Sequence, residues 1–202
     1  MNREQELKAV EAEVAECRDC MLHMSRKLTV PGEGPADSEL VFIGEGPGFH
    51  ENEQGRPFVG AAGRLLENLL ESAGLQRDQV FICNVVKCRP PGNRDPQPEE
   101  IEACAKYLER QIRAINPKVI VTLGRFSMAR YFPGARISAI HGKAQTKEGR
   151  LVVPFYHPAA ALHQPKLRSV VEEDFANMAT LLAEASPPDA DSPPDPEQMS
   201  MF

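Results

Sequence analysis

The feature that most constrains this chain of 202 residues is an apolar run that breaks abruptly into glycines. Residues 40–43 are all large and apolar, which predicts a strand buried on both faces. The next segment, Gly44-Glu45-Gly46-Pro47-Gly48, cannot extend a strand or begin an ordinary helix. Glycine loops at the carboxyl ends of strands are the usual ligand sites of α/β sheets, although glycines alone also fit a plain turn. Acidic residues at 45, 51 and 53 and the Pro57-Phe58 pair favour the ligand site.

The rest of the chain alternates apolar runs with helical patterns. Further buried strands are predicted at 80–86, 119–123 and 151–154. Helical patterns cover 3–16, 61–73, 97–115 and 166–184. Residues 141–150, with Lys143 and Lys147, are predicted as a basic turn. Strands that alternate with helices indicate an α/β fold with a parallel sheet covered on both faces.

Length and charge bound the class of protein. One domain is predicted over residues 1–185, followed by a tail over 186–202, rich in Pro and Asp, that we expect to be disordered by itself. No apolar run reaches the ~18 residues of a membrane span, and the charged N-terminus is unlike a signal peptide, so a cytoplasmic protein is expected. The net charge of −6 lies mostly at the two ends of the chain. The nearly neutral remainder permits a local basic face.

Five cysteines, at positions 17, 20, 83, 88 and 104, have the spacing of a metal site. Cys17 and Cys20 form a Cys-x-x-Cys pair at a predicted helix end, and a Pro/Gly/Asn loop can bring Cys88 and Cys104 to the same pocket. Cys83 lies inside an apolar run and is expected to be a buried hydrophobe, with a ligand role in place of Cys88 or Cys104 as the alternative. Disulfides are not expected in a cytosolic chain. Zinc and an iron–sulfur cluster both stay open, because both accept four thiolates.

Several motifs, taken together, resemble those of family 4 uracil-DNA glycosylases. They are Gly44-Glu45-Gly46-Pro47-Gly48, Gly55-Arg56-Pro57-Phe58-Val59-Gly60 with Gly63, Asn84-Val85-Val86-Lys87-Cys88-Arg89-Pro90-Pro91, His157-Pro158-Ala159-Ala160, and the cysteines at 17, 20 and 104. The resemblance covers nearly the whole predicted domain. It implies a three-layer α/β/α sandwich with a central four-stranded parallel sheet, and a [4Fe-4S] cluster on Cys17, Cys20, Cys88 and Cys104. It also implies release of uracil from DNA in base excision repair.

The same resemblance bears on the type of reaction. A related group in this superfamily forms a covalent adduct with DNA through an Arg-rich loop that contains a His. The comparable region of this chain, 138–150, contains His141 but no pair of adjacent arginines. The resemblance therefore implies the hydrolytic branch.

Three residues are candidates for binding a uracil that has been flipped out of the duplex. Phe58 is the candidate stacking platform. The Asn84 amide can accept from uracil N3–H and donate to O4, and cytosine presents the opposite pattern. His157 can donate to uracil O2 as negative charge develops on the leaving base, and its charge state stays open.

Carboxylates are the candidates for water activation and for stabilising an oxocarbenium-like sugar. The resemblance points to both Glu45 and Glu51. Many members carry an acidic pair where this chain has Glu51-Asn52, so the division of roles between Glu45 and Glu51 stays open. Backbone N–H groups around Gly46 are further candidates for binding uracil O2.

The turn after His157 is predicted to enter the DNA groove. Leu162 is the candidate for filling the vacated base stack. Lys166, Arg168 and Lys143 are candidate phosphate contacts, although each alone also fits a solvated surface charge. The expected partner is uracil-containing DNA, single- or double-stranded, bound by a monomer.

The last five residues resemble the short peptide with which bacterial repair and replication proteins dock on the sliding clamp. The candidate contacts are Gln198, Met199, Met201 and Phe202, at the end of a Pro-rich linker. A tethered peptide would raise the local concentration of the enzyme at DNA. The alternative is a tail without function.

Two other classes of function compete with the enzyme. One is a non-catalytic iron–sulfur module that binds nucleic acid, and the other is a zinc-stapled nucleotide-binding protein. The presence of Glu45, Phe58, Asn84 and His157 together at predicted strand ends favours the enzyme.

Overall fold

The computed structural model describes residues 2–185. The strands are β1 (Leu40–Gly44), β2 (Phe81–Asn84), β3 (Val119–Leu123), β4 (Gln145–Lys147) and β5 (Arg150–Phe155). The helices are α1 (Arg3–Glu16), α2 (Phe49–Gln54), α3 (Ala61–Ser72), α4 (Pro98–Ile115), α5 (Arg125–Ala129), α6 (Ile137–Ile140), α7 (Pro158–His163), α8 (Pro165–Ala176) and α9 (Met178–Glu184). Short 3-10 turns lie at Met21–Met24, Arg77–Gln79 and Pro91–Asn93. The predicted tail, 186–202, and its candidate docking residues Gln198, Met199, Met201 and Phe202 lie outside the described residues.

The sheet confirms the predicted α/β class but has five strands in place of four. The strand order is β2-β1-β3-β5-β4, and every neighbouring pair is parallel except β4 with β5. The segment 141–150, predicted as a basic turn, is in fact the β4–β5 hairpin region. Glu148 and Gly149, both at positive φ, form its two-residue turn. The sequence did not predict β4, because its residues are polar and largely exposed and show no alternation of apolar and polar positions.

Burial on both faces explains why β1 is apolar without interruption. Val41 and Ile43 face the core formed with α1 and α4. Leu40 and Phe42 face the second core, formed with α3, α8 and α9. Successive side chains of a strand point to opposite faces, so a sheet between two helical layers needs apolar residues at every position.

The strand order indicates at which edge of the sheet a ligand would bind. The chain leaves β1, adds β2 on one side, and then crosses to add β3 on the other. Ligands of α/β sheets bind at the carboxyl ends of strands where the direction of winding reverses. At this edge lie the glycine loop after β1, Asn84 at the end of β2, and His157 just after β5.

Some element bounds differ from the predictions. The strand predicted at 80–86 covers only Phe81–Asn84, and the helix predicted at 166–184 is divided at Asn177 into α8 and α9. The helix α2 lies within a segment predicted as loop. Within the described residues, no helix is both long enough and apolar enough to cross a membrane.

Candidate active site

A cavity of about 200 Å³ opens at the carboxyl edge of the sheet. A cavity of about 150 Å³ in a protein admits a benzene ring, so this volume suits one six-membered ring. The lining residues come from the loops that follow β1, β2 and β5 and from the start of α3. They are Glu45, Gly46, Pro47, Gly48, Glu51, Phe58, Ala62, Asn84, Pro90, Asn93, Arg94, His157 and Ala159. Asn84 and His157, 73 positions apart in the chain, therefore share one cavity.

Asn84 brings an unsatisfied acceptor to this cavity. The residue is 2% exposed, and its Oδ1 is buried without a hydrogen-bond partner in the described part of the chain. A Cβ added at Gly44 would lie 2.4 Å from this oxygen and 2.7 Å from the Phe58 ring, so glycine at 44 leaves both side chains their places. A buried acceptor without a partner costs about 1–3 kcal/mol, which is offset when a ligand donates to it.

Phe58 and His157 form one wall of the cavity. Their ring centroids lie 5.4 Å apart with an interplanar angle of 26°. Phe58 is 5% exposed, and its backbone has a φ of 52°, in the left-handed region that side chains other than glycine rarely adopt. Its ring is thus presented to the cavity by an unusual local backbone conformation.

The protonation state of His157 follows from its contacts. Its Nδ1 accepts the N–H of Ala159 at 3.1 Å, so the proton of the neutral ring must be on Nε2. Burial lowers the pKa of His157 to about 4, and the carboxylate of Glu51 opposes this shift only in part. At neutral pH the ring is therefore a neutral imidazole that donates through Nε2.

The two candidate carboxylates have different surroundings. Glu51 Oε1 accepts the N–H groups of Val59 and Gly60, each at 2.9 Å, and its Oε2 accepts the N–H of Gly48 at 3.1 Å. Glu45 is half-buried, and its carboxylate makes no hydrogen bond or ion pair within residues 2–185. Burial, and then the charge of Asp95, raise the pKa of Glu45 above its ordinary value. Glu51 holds loops together, whereas the Glu45 carboxylate lies unpaired in the lining of the cavity.

A second, narrower cavity is lined by Cys17, Cys20, Cys88 and Cys104. Burial raises the pKa values of the Cys20 and Cys88 thiols, and raises that of Cys104 to about 12. Thiols in such surroundings ionise only beside positive charge, as a metal centre provides. Arg26, which sequence reasoning did not single out, donates to Cys88 Sγ at 3.3 Å and to the Cys17 carbonyl at 2.8 Å. Cys83 is fully buried in the apolar core, away from this cavity's lining.

The side chain of Lys87, which is 1% exposed, connects the cavity lined by cysteines to Asn84 of the larger cavity through hydrogen bonds. Its Nζ donates to the Asn84 carbonyl at 2.8 Å and to Gln111 Oε1 at 2.7 Å, and its backbone N–H donates to Cys104 Sγ at 3.3 Å. Gln111 in turn donates to the Pro31 carbonyl at 2.8 Å. Asn84 is therefore anchored to the helix that carries Cys104.

The candidate DNA contacts lie outside the lining of the larger cavity. Leu162 is 42% exposed on α7, the helix whose Ala159 lines the cavity. Lys166 and Lys143 are exposed, and Lys143 Nζ donates to the Ala139 carbonyl at 2.8 Å. Arg168 pairs with Glu172 at 2.9 Å on α8. Sequence reasoning missed Arg94, a cavity residue paired with Glu100 at 2.6 Å, because nothing in a Pro- and Gly-rich loop distinguishes one arginine from another.

Comparison with known proteins identifies the family. The sequence model of the Uracil DNA glycosylase superfamily matches residues 31–180. The chain is 50% identical over 185 residues to the type-4 uracil-DNA glycosylase of Sulfurisphaera tokodaii, with 87% of this chain and 84% of the relative covered. It is 47% identical to the Archaeoglobus fulgidus type-4 enzyme (87% and 92% covered) and 45% identical to that of Thermotoga maritima (86% and 93% covered). The chain therefore belongs to the type-4 uracil-DNA glycosylases of the uracil DNA glycosylase superfamily.

Proposed function

We propose that this protein hydrolyses the N-glycosidic bond of deoxyuridine in DNA, releasing uracil and leaving an abasic site. The observation that carries the proposal is the buried, unpartnered Oδ1 of Asn84 in a ring-sized cavity shared with Phe58 and His157. A base inside a duplex is out of reach of such a cavity, so the enzyme must first flip the nucleotide out of the stack.

Asn84 is proposed to select uracil. Its Oδ1 accepts the N3–H of uracil, and the amide NH₂ group donates to O4. Cytosine carries a lone pair at N3, which would face the lone pairs of Asn84 Oδ1 and leave two buried acceptors without donors. A site that is built around one hydrogen-bond pattern rejects the opposite pattern by several kcal/mol. Phe58 provides the apolar surface on which the flipped ring stacks.

His157 is proposed to stabilise the leaving base. As the C1′–N1 bond breaks, its electron pair passes to the uracil ring and negative charge accumulates on O2. The Nε2–H of neutral His157 donates to that oxygen. The Ala159 N–H donates to Nδ1 and so keeps the ring proton on Nε2. A donor that is already oriented needs no reorganisation during the reaction. The backbone N–H groups around Gly46 are the second proposed source of hydrogen bonds.

Glu45 is proposed to orient and deprotonate the attacking water. The water oxygen bonds to C1′, one water proton passes to the Glu45 carboxylate, and the carboxylate also stabilises the cationic sugar. The raised pKa of Glu45 makes it a stronger base than an exposed glutamate. Glu51, whose carboxylate accepts three backbone N–H groups, is proposed to support catalysis by holding the loops of the cavity.

We further propose a [4Fe-4S] cluster held by Cys17, Cys20, Cys88 and Cys104. A zinc site on all four of these cysteines would need their sulfurs at about 2.3 Å from one ion. Within residues 2–185, no group of three or more His, Cys, Asp or Glu side chains is spaced to hold a single metal ion. The four thiols line one cavity, and a cluster takes one cysteine at each of its irons. When bound, the cluster would tie α1 to the loop after β2 and to α4.

Release of uracil tests the enzymatic proposal. Brown, cluster-loaded protein is incubated with single- and double-stranded oligonucleotides that carry uracil or cytosine at the same position. We expect abasic sites only from the uracil strands, and strongly reduced release by Asn84→Ala and His157→Ala. Absence of release by the loaded wild-type protein would overturn the proposal. A colourless protein with zinc as its only metal would overturn the cluster.

The hydrolytic branch is supported by the contacts of His141. Its Nδ1 lies 3.0 Å from Asp174 Oδ2, and its ring packs at 5.0 Å against Tyr156. The ring also lies outside the lining of the larger cavity, which disfavours a covalent bond to a sugar whose base is bound there. Denaturing gels of the completed reaction should show no protein–DNA adduct, and an adduct lost in His141→Ala would contradict this assignment.

Clamp docking by residues 198–202 remains a proposal from the sequence. Deleting these five residues should abolish binding to a bacterial sliding clamp and leave uracil release from short oligonucleotides intact. Clamp affinity that survives the deletion would contradict it.

A further inference from the structure

The backbone that carries Phe58 is strained and closely packed. Non-glycine residues in the left-handed region cost about 1–3 kcal/mol, and such a conformation persists only where the surroundings enforce it. The φ of Phe58 is 52°. A Cβ added at Gly63 would lie only 1.9 Å from the Phe58 carbonyl oxygen, so the first turn of α3 packs directly against this backbone.

The guanidinium of Arg77 holds this backbone from one side. Its Nη1 donates to the Phe58 carbonyl at 3.0 Å, and its Nη2 donates to the Pro57 carbonyl at 2.5 Å. The Arg77 side chain is 17% exposed, and it is itself oriented by Glu67 at 3.3 Å and by Glu33 at 3.4 Å. The planar fork of arginine has two terminal donor nitrogens, so each can donate to one of two successive carbonyls.

Glu51 holds the same segment from the other side. It accepts the N–H groups of Val59 and Gly60, so a cation binds the carbonyls of residues 57 and 58 while an anion binds the N–H groups of 59 and 60. Arg77 itself lies outside the lining of the cavity. The segment that Arg77 holds is therefore what connects it to a ring bound in the cavity.

We propose that Arg77 is a positioning residue for uracil recognition, which acts by fixing the Pro57 and Phe58 carbonyls so that the Phe58 ring stays in the cavity wall. The inference rests on the proposed function. Without the fork, the segment can relax toward an ordinary negative φ and the ring leaves its place. The flipped base would then have to order its own stacking platform, which weakens its binding.

A double-mutant cycle separates positioning from general folding. Arg77→Met is measured for kcat/KM on a uracil oligonucleotide with Phe58 present and in the Phe58→Ala background. We expect a loss of about 10- to 30-fold with Phe58 present and less than about threefold without it. Inhibition by free uracil should weaken in Arg77→Met in parallel.

Two further variants complete the design. Arg77→Lys keeps the charge beside Glu33 and Glu67 but has a single donor atom, so it should retain the fold and still lose part of the activity. Arg56→Met is the matched control: Arg56 donates to the same Glu33 at 2.7 and 2.8 Å, but is 55% exposed and makes no contact with the Phe58 carbonyl. Its kcat/KM should stay within about twofold of wild type.

The outcomes distinguish the inference from the function on which it rests. Equal losses in both backgrounds, or full activity of both Arg77 variants, would overturn the positioning role. If Arg77→Met fails to fold, the same cycle with Arg77→Lys decides in its place. A wild-type protein that releases no uracil would overturn the proposed function instead.

Discussion

Replacing Asn84 by alanine should separate stability from activity. Asn84 Oδ1 is buried and has no hydrogen-bond partner in the described structure, so its removal breaks no hydrogen bond of that oxygen. An unsatisfied buried acceptor destabilises a fold by about 1–3 kcal/mol, and the truncation borders a cavity that is already open. We expect the free energy of unfolding of Asn84→Ala to lie within about 1 kcal/mol of wild type, or above it.

The effect on the reaction should be much larger. The variant loses the acceptor for uracil N3–H at a site shielded from water. A loss of about 2–4 kcal/mol of transition-state stabilisation corresponds to about 30- to 1,000-fold in kcat/KM. Thermal unfolding and single-turnover uracil release are measured on the same cluster-loaded preparations, so that any difference in folding is seen directly.

Asn52→Ala is the matched control. Asn52 is also buried, but its Oδ1 accepts a hydrogen bond from the backbone N–H of Lys27 at 2.9 Å. Its removal leaves that donor unpaired and should lower stability by about 1–2 kcal/mol, with activity per folded molecule largely kept. If Asn84→Ala lost as much stability as Asn52→Ala and kept its activity, Asn84 would be a structural residue and the recognition argument would fail.

Three further perturbations test other parts of the site. The pKa of His157 is about 4 in the folded protein and about 6.5 in the unfolded chain, so on acidification the unfolded chain takes up a proton first. The free energy of unfolding should therefore fall, by up to about 3 kcal/mol, as the pH drops from about 6.5 to 4. His157→Gln should lose this part of the pH dependence of thermal unfolding, and unchanged slopes would contradict it. Glu45→Gln should slow single-turnover release by about 100-fold or more with little loss of stability. Glu51→Gln should lower the free energy of unfolding by about 2 kcal/mol, because it removes the negative charge that strengthens three hydrogen bonds and one of the two acceptor oxygens; the reverse order in the two assays would refute the assignment. Lys87→Met removes two buried hydrogen bonds and should lower the unfolding free energy by about 1–3 kcal/mol, so a variant as stable as wild type would show that the link from Asn84 to Gln111 carries no stability.

The parts of the fold that sequence could predict are those with strong apolar patterns. β1 and β3 are buried on both faces and are apolar at nearly every position, so their location follows from composition alone. β4 is polar and partly exposed, and only the following Glu148-Gly149 pair hints at a hairpin. The four parallel strands were therefore predictable and the antiparallel edge strand was not.

The candidate site also has parts that the sequence could predict and parts that it could not. Glu45, Asn84 and His157 each follow or end a strand, so their approach to one sheet edge follows from topology once the strands are known. The hydrogen bonds of Glu51 to residues 48, 59 and 60 depend on how two loops pack, which no local pattern encodes. Arg77 reaches Phe58 from 19 positions away, outside any motif.

We propose that one cavity recognises a flipped uracil through Asn84, Phe58 and His157. The most direct test is a crystal structure of the cluster-loaded protein with free uracil or with DNA that carries a non-hydrolysable deoxyuridine analogue. We expect the uracil ring to lie against Phe58, with N3 at about 3 Å from Asn84 Oδ1 and O2 at a similar distance from His157 Nε2. A ring bound outside this cavity, or one whose N3 edge points away from Asn84, would contradict it.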